Sequence, residues 1–408
     1  MTSFFPFEAR NPYPNCSEAS PHRPFEPLTK LYPIKELTPY FSSSFPSLPI
    51  RSTSVPSAIR DEMDDDAPQE RGPSPPDPPS PLHDILAENP VQVDDAIPDH
   101  DSVLDESESS SSQSTSLKSS IINYKYENGR RYHAFREGTY PVPNDEQEQD
   151  RMDMVHHIYR LLLGGKLYLA PIGDHVRRVL DLGTGTGIWA MDFADEHPAA
   201  EVLGTDLSPI QPVWTPPNCI FEVDDFESDW LYRQPFDYIH ARELEGCIAN
   251  PDKLFRQALE HLTPGGYLEM QAVDGFFLSD DGTAEQAVHA QAWIKSMLDG
   301  ARKFGKPLDT CSKWKEQMED AGFVDVRQEV FKFPIGPWPK DPKLKEIGTW
   351  QYWQELQVVE SYTHGIYSRI LGWDNVQIEV FKAMVKNDFK NPAIHIYLPV
   401  VFVWGRKL

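Results

Sequence analysis

One stretch, VLDLGTGTGIWA (Val179–Ala190), constrains this chain more than any other. A short apolar run ending in glycines reads as a buried strand. Gly183, Gly185 and Gly187 follow at alternate positions, and a helical pattern begins at about Ile188. Glycine in such a turn permits positive φ and removes the Cβ that would hold a ligand off the backbone. The helix behind it opens with free N–H groups. In an open α/β sheet, a loop leaving the carboxyl end of the first strand lies at the ligand crevice.

The flanking sequence supplies such a sheet. RRVLDLG (177–183), AEVLGTDLS (200–208), CIFEVDD (219–225), FDYIHAR (236–242) and YLEMQAV (267–273) read as strands. DKLFRQALEHL (252–262) is an amphipathic helix, and TPGG a turn. Met152, Val155, Ile158, Tyr159, Leu162 and Leu163 form a helical stripe closed by Gly164 and Gly165. Strands alternating with helices imply a mostly parallel sheet in an α/β fold. Helices near 284–304 and 312–321 precede two late strands, in 321–333 and 393–408, expected to close the sheet as an antiparallel pair. Between them, residues 340–390 are expected to add helices. Their aromatics, Trp350, Tyr352, Trp353, Tyr362 and Trp373, suit a core or the lining of a pocket.

Composition divides the chain. The net charge is −25, and Asp61–Glu108 alone holds sixteen acids against one base, Arg71. Such a segment buries too little apolar surface to offset its ordering entropy. Residues 1–120 are therefore expected to be a disordered acidic Pro/Ser-rich tail, and 121–408 the folded domain. The four cysteines are far apart, with no metal-like cluster, which suits a reducing compartment. No signal peptide or membrane span is expected, and the acidic balance argues against direct nucleic-acid binding. An intracellular location, cytoplasmic or nuclear, is expected, without a bound metal.

Two ligands compete for the glycine loop. Gly185, Gly187 and Ala190 satisfy the looser dinucleotide pattern GxGxxA. Asp181, Leu182, Gly183, Gly185 and Gly187 spell the acid–apolar–GxGxG loop of S-adenosylmethionine sites. Asp206 ends strand two, where a carboxylate accepts bonds from ribose hydroxyls of either ligand. VDDF ends strand three. There Asp225, with Asp224 as the alternative, could meet an adenine amino group beside Phe226.

The wider pattern favours the second ligand. YENGRRYHAFREGTYPVPNDEQEQDRMDMVHH (126–157), LDLGTGTGIWAMDFA, DDFESDW, FDYIHAR, PGGYLEMQ and IYLPVVFVWGRKL together resemble the class I S-adenosylmethionine-dependent methyltransferases. More narrowly they resemble the fungal LaeA-like group, which includes velvet-complex regulators and relatives from secondary metabolism. The resemblance runs from about Tyr126 to the end and leaves the acidic tail uncovered. It implies a Rossmann-like seven-stranded sheet with its last strand antiparallel. It places the methionine part of the cofactor at Asp181, Gly183, Gly185 and Gly187, with Thr184 in the same loop. The ribose falls at Asp206 with Leu207 beside it, and the adenine at Asp225 and Phe226. The residue facing the transferred methyl is His240, a candidate base. Tyr132 and Arg136 are candidate lid contacts, by stacking and by binding a carboxylate. Arg242 and Glu243 read as a plain surface pair, with an ion pair at the site or a substrate contact as the alternatives; His156 and His157 suit structural roles.

The D/N-P-P-Y/F/W tetrad of nucleobase methylation is missing after strand four, where HARE stands instead. The expected acceptor is a small, aromatic or polyketide-like metabolite, with a protein substrate left open. The alternative is a LaeA-type nuclear regulator acting with a velvet-type partner. A nicotinamide-dependent oxidoreductase ranks third, since no Tyr/Lys or His/Asp set for hydride transfer is found.

Overall fold

A computed structural model describes residues 82–94, 124–127, 129–133, 135–136 and 142–408. A one-turn helix α1 (His83–Ala87) comes first, then a hairpin of β1 (Lys125–Glu127) and β2 (Arg130–Tyr132). The long helix α2 (Glu146–Leu162) leads into β3 (Arg178–Leu182), α3 (Ile188–Glu196), β4 (Glu201–Asp206), β5 (Cys219–Val223) and β6 (Phe236–Arg242). Next are α4 (Pro251–His261), β7 (Leu262–Val273), α5 (Val288–Phe304), α6 (Trp314–Ala321) and β8 (Val324–Pro334). The helices α7 (Pro342–Arg369) and α8 (Asn375–Lys390) precede the closing strand β9 (Tyr397–Arg406).

Seven strands form one sheet in the order β5-β4-β3-β6-β7-β9-β8. The five strands from β5 to β7 pair in parallel, and β9 runs antiparallel to both β7 and β8. The order reverses at β3, which places the glycine loop at the topological switch point, where α/β sheets bind ligands. A strand buried on both faces must be apolar on both, and β9 is: Leu398, Val400, Phe402 and Trp404 face one core, Val401 and Val403 the other. The first core packs under α2, α3, α5, α7 and α8, the second under α4 and α6.

The expected elements are present, with two differences. TPGG is not a free turn: β7 already pairs with Phe236 at Leu262, and the register shifts between Phe236 and Tyr238 to absorb the glycines. The second difference lies inside the supposed tail. Residues 82–94 pack onto the sheet-bearing unit, with Leu82 and Leu86 buried in the second core. Val93 bridges Pro339, Asp94 N–H donates to the Trp338 carbonyl, and Lys332 Nζ bonds both the Asn89 carbonyl and Asp280. The average acidity of 61–108 concealed two leucines spaced to share a helix face. The remainder of the 1–120 expectation lies outside the described residues.

Candidate cofactor and acceptor site

Residues at the carboxyl ends of β3, β4 and β6 open onto a crevice of about 510 Å³. That volume lies within the range of small-molecule and cofactor pockets. Its floor is the glycine loop. Gly183, Gly185 and Gly187 all have positive φ, at 62°, 57° and 81°. They serve different ends. A Cβ at Gly183 would lie 2.4 Å from Leu244, and one at Gly187 2.4 Å from the Phe221 ring. At Gly185 the nearest atom is Met152 Sδ at 3.3 Å, and Gly185 lines the crevice. Close packing thus requires glycine at 183 and 187, whereas at 185 the Cβ is missing from the ligand's side. Gly187 is the residue before α3 and does not line the crevice.

Asp181 anchors the loop. Its Oδ2 accepts from Thr184 Oγ1 at 2.6 Å, and its Oδ1 pairs with His240 Nδ1 at 2.7 Å. His240 is fully buried and stacks on Trp189 at 3.6 Å between ring centroids. Burial pushes its pKa down to about 4 against the opposing pull of Asp181. The imidazole is therefore neutral and fixed. It lines the crevice, and its Nε2 has no hydrogen-bond partner among the described protein atoms.

Asp206 accepts from Gly185 N–H at 2.9 Å through Oδ2 and from Ser208 N–H at 2.8 Å through Oδ1. Burial lifts its pKa to about 6, and each oxygen keeps a lone pair for the crevice it lines. Leu207, Asp225 and Phe226 line the same crevice. Arg136 reaches across it: Nη1 pairs with Asp225 Oδ2 at 2.8 Å and Nη2 donates to Ser228 Oγ at 2.7 Å. Tyr132, expected at the lid, is instead buried beneath the Arg369 guanidinium and does not line the crevice.

Arg242 and Glu243 are not a surface pair. Arg242 bonds Gln271 Oε1 at 2.7 Å, approaches His156 Nδ1 at 3.1 Å and lies over the Tyr159 ring. Glu243 turns away with φ 56° and accepts from Tyr159 OH at 2.5 Å. His156 also lines the crevice while pairing with Asp192, and His157 packs edge-on against Trp350. Tyr362 comes in from α7 and accepts from Arg151 Nη2 at 3.3 Å. Tyr362 was offered as core or pocket lining, whereas Asn144, Met152 and Lys306 are crevice residues that sequence reasoning missed. Among them only Met152 stood in a recognised stripe; the others meet the crevice through contacts far apart in sequence. Among the described residues no cluster suits a metal ion, and no helix is long and apolar enough to cross a membrane.

Known proteins are similar to this chain. A methyltransferase-domain family matches residues 154–328. Methyltransferase pytC of Aspergillus terreus is 40% identical over 297 residues, which span 72% of this chain and 92% of that protein. The probable methyltransferase tdiE of Emericella nidulans is 33% identical over 67% of this chain and 86% of its own length. The secondary metabolism regulator LAE1 of Cochliobolus heterostrophus is 36% identical over 66% of this chain and 91% of its own. The chain belongs to the class I S-adenosylmethionine-dependent methyltransferases, in their LaeA-like group. Its cofactor is S-adenosylmethionine, and the crevice of this methyltransferase fits it. The loop is bare of Cβ at Gly185, and two acids, Asp206 and Asp225, line it from adjacent strand ends.

Proposed function

We propose that this methyltransferase acts on a small-molecule acceptor from secondary metabolism. The observation that carries the reading is the crevice itself, bounded by the β3 loop on one side and by α2 and α7 on the other. In this reading the main chain at Gly183–Gly185 receives the methionine part, with Thr184 holding the loop in shape. Asp206 receives the ribose with Leu207 beside it, and Asp225 with Phe226 receives the adenine. Arg136 closes over that end. His240 acts through Asp181: a neutral imidazole held by Trp189 keeps the carboxylate oriented toward the loop. Gly187 serves by packing, and Tyr132 stands outside the site.

The bound cofactor supplies an activated methyl group. The protein's task is alignment, and holding two reactants in line can contribute about 7–11 kcal/mol. The walls formed by Val155, Trp189, Leu244 and Phe304 exclude water from that line. Calorimetry with S-adenosylhomocysteine tests the site, with binding expected in wild type and lost in Gly185→Val. No binding by the wild-type chain removes the assignment.

A regulatory role is the second reading, supported by relatives named as secondary metabolism regulators, at 34–36% identity. It predicts capture of a velvet-type protein by the full chain in a nuclear extract. Turnover of a purified metabolite, with no such capture, favours the first reading.

A further inference from the structure

The crevice does not end at the glycine loop. Two smaller chambers, of about 80 and 50 Å³, adjoin it. Among the described residues only Glu243 and Tyr362 line all three spaces. Trp293, Met297 and Phe333 give the inner chambers apolar walls. Glu243 thus stands where any molecule seated in those chambers would meet the cofactor crevice.

Its geometry is unusual for a residue without a task. A glutamate at φ 56° occupies a left-handed conformation that residues bearing a side chain adopt only at a cost. In this conformation its carboxyl meets Tyr159. One oxygen accepts the Tyr159 hydroxyl. Close by, Glu245 lines both inner chambers, and its buried Oε2 receives no donor from the protein.

Resting on the methyltransferase reading, we propose that Glu243 is the general base. The acceptor presents a phenolic or enolic hydroxyl to it, with its apolar body against Trp293, Met297 and Phe333. The hydroxyl gives its proton to a Glu243 oxygen and its electron pair to the donor methyl, whose bond to sulfur breaks with the pair left on sulfur. Glu243 then releases the proton to solvent. An amine fits less well, because beside a carboxylate it is held as an ammonium with no free pair. A hydroxyl becomes a strong nucleophile only by losing a proton, so it requires the base.

The surroundings set the base's working range. Tyr159 and Arg151 face Glu243 from α2, Tyr362 and Glu355 from α7, and Arg242 and Glu245 from its own chain segment. Burial raises the Glu243 pKa, while the Tyr159 hydrogen bond and the two arginines hold it back. Burial, then the Glu243 charge, drives Glu245 well above the ordinary carboxylate range, and a hydrogen bond from Glu245 also holds the Glu243 value back.

The test uses the full chain, methyl-labelled S-adenosylmethionine and an extract of cells lacking the gene, with the labelled product identified by mass spectrometry and NMR. The label is expected in a methyl ether. With that acceptor, Glu243→Gln should lower kcat by about 10²–10⁴-fold and abolish the acid limb of its pH profile. It should leave S-adenosylhomocysteine affinity, measured by calorimetry, within about twofold. Glu245→Gln, which can still donate, should keep the limb in place. Glu245→Leu should move it to higher pH, because Glu243 loses a donor to its charged form. Label on nitrogen, carbon or protein, or no labelled small molecule although S-adenosylhomocysteine binds, overturns the proposal. An undiminished Glu243→Gln rate does the same. Failure of the wild-type chain to bind S-adenosylhomocysteine instead removes the underlying methyltransferase reading.

Discussion

Gly185 and Gly187 stand two residues apart, yet a methyl group added to each meets different matter. At 187 it strikes the Phe221 ring, on the sheet side of the loop. Gly187→Ala should therefore cost about 1–3 kcal/mol of stability, from the left-handed backbone and the clash combined. A urea melt would show this, while affinity for S-adenosylhomocysteine falls less. Gly185→Ala carries the same backbone cost without the ring clash, and its methyl enters the crevice, so it should lose less stability and more affinity than Gly187→Ala; equal effects on binding from the two variants would contradict this division. Asp206 adds a pH signature. Its folded pKa, about 6, lies above the usual carboxylate value because it is buried. Below that pH it becomes neutral and loses acceptor strength toward ribose hydroxyls. Calorimetric affinity should then weaken as pH falls from 7.5 to 5.5, and Asp206→Asn should flatten the dependence. The spacing of these residues was legible in the sequence, because the loop's chemistry is local. His240 was legible as a strand-end residue only. That its ring stacks on Trp189 and bonds Asp181 depends on where α3 sets Trp189 against the sheet, which no local pattern states.

Helix starts explain much of the block before α2, where an Arg- and Tyr-rich run suggested a lid. Arg130 spends its guanidinium on Asp145, through Nε at 2.5 Å and Nη2 at 2.9 Å. Asp145 in turn caps α2 by accepting from Glu148 N–H at 3.1 Å. Among the described arginines and tyrosines of that run, only Arg136 lines the crevice. Burial alone would raise the Asp145 pKa, but the Arg130 hydrogen bond and charge outweigh it and hold the value below the ordinary one. A depressed carboxylate stabilises the fold above its unfolded pKa, near 4, and that stabilisation disappears as pH falls through the folded value. Asp145→Ala should thus cost about 1–3 kcal/mol near neutrality, by cap and pair together, and progressively less below pH 4. Denaturant midpoints at pH 7 and pH 3 check it; an equal loss at both would show that charge is not the cause. The helices α7 and α8 were expected from 340–390. That Tyr362 alone of the five singled-out aromatics lines the crevice was not, because it follows from the α2–α7 packing across more than two hundred residues.

At the scale of the molecule, the segment 82–94 shows how composition misleads. Averaged over 61–108 the sequence is acidic and Pro-rich, and an average has no place for a pair of anchors. Yet Leu82 and Leu86 are nearly inaccessible, and Asp280 collects Val91 N–H, Lys332 Nζ and Tyr397 OH into one junction. The segment therefore covers the β8 side of the sheet, at the edge farthest from β5 in the strand order. The glycine loop lies on β3, with β6, β7 and β9 between it and that edge. This separation predicts a dissociation of stability from binding. Leu86→Ala should cost about 2–5 kcal/mol, as large-to-small substitutions in cores do, and lower the thermal midpoint. Its affinity for S-adenosylhomocysteine at 20 °C, where the fold still holds, should match wild type. Calorimetry and thermal scanning on one preparation would decide. A midpoint that does not move would mean that the strap adds nothing to the fold, and the sequence's boundary near residue 121 would then stand as the energetic start of the domain.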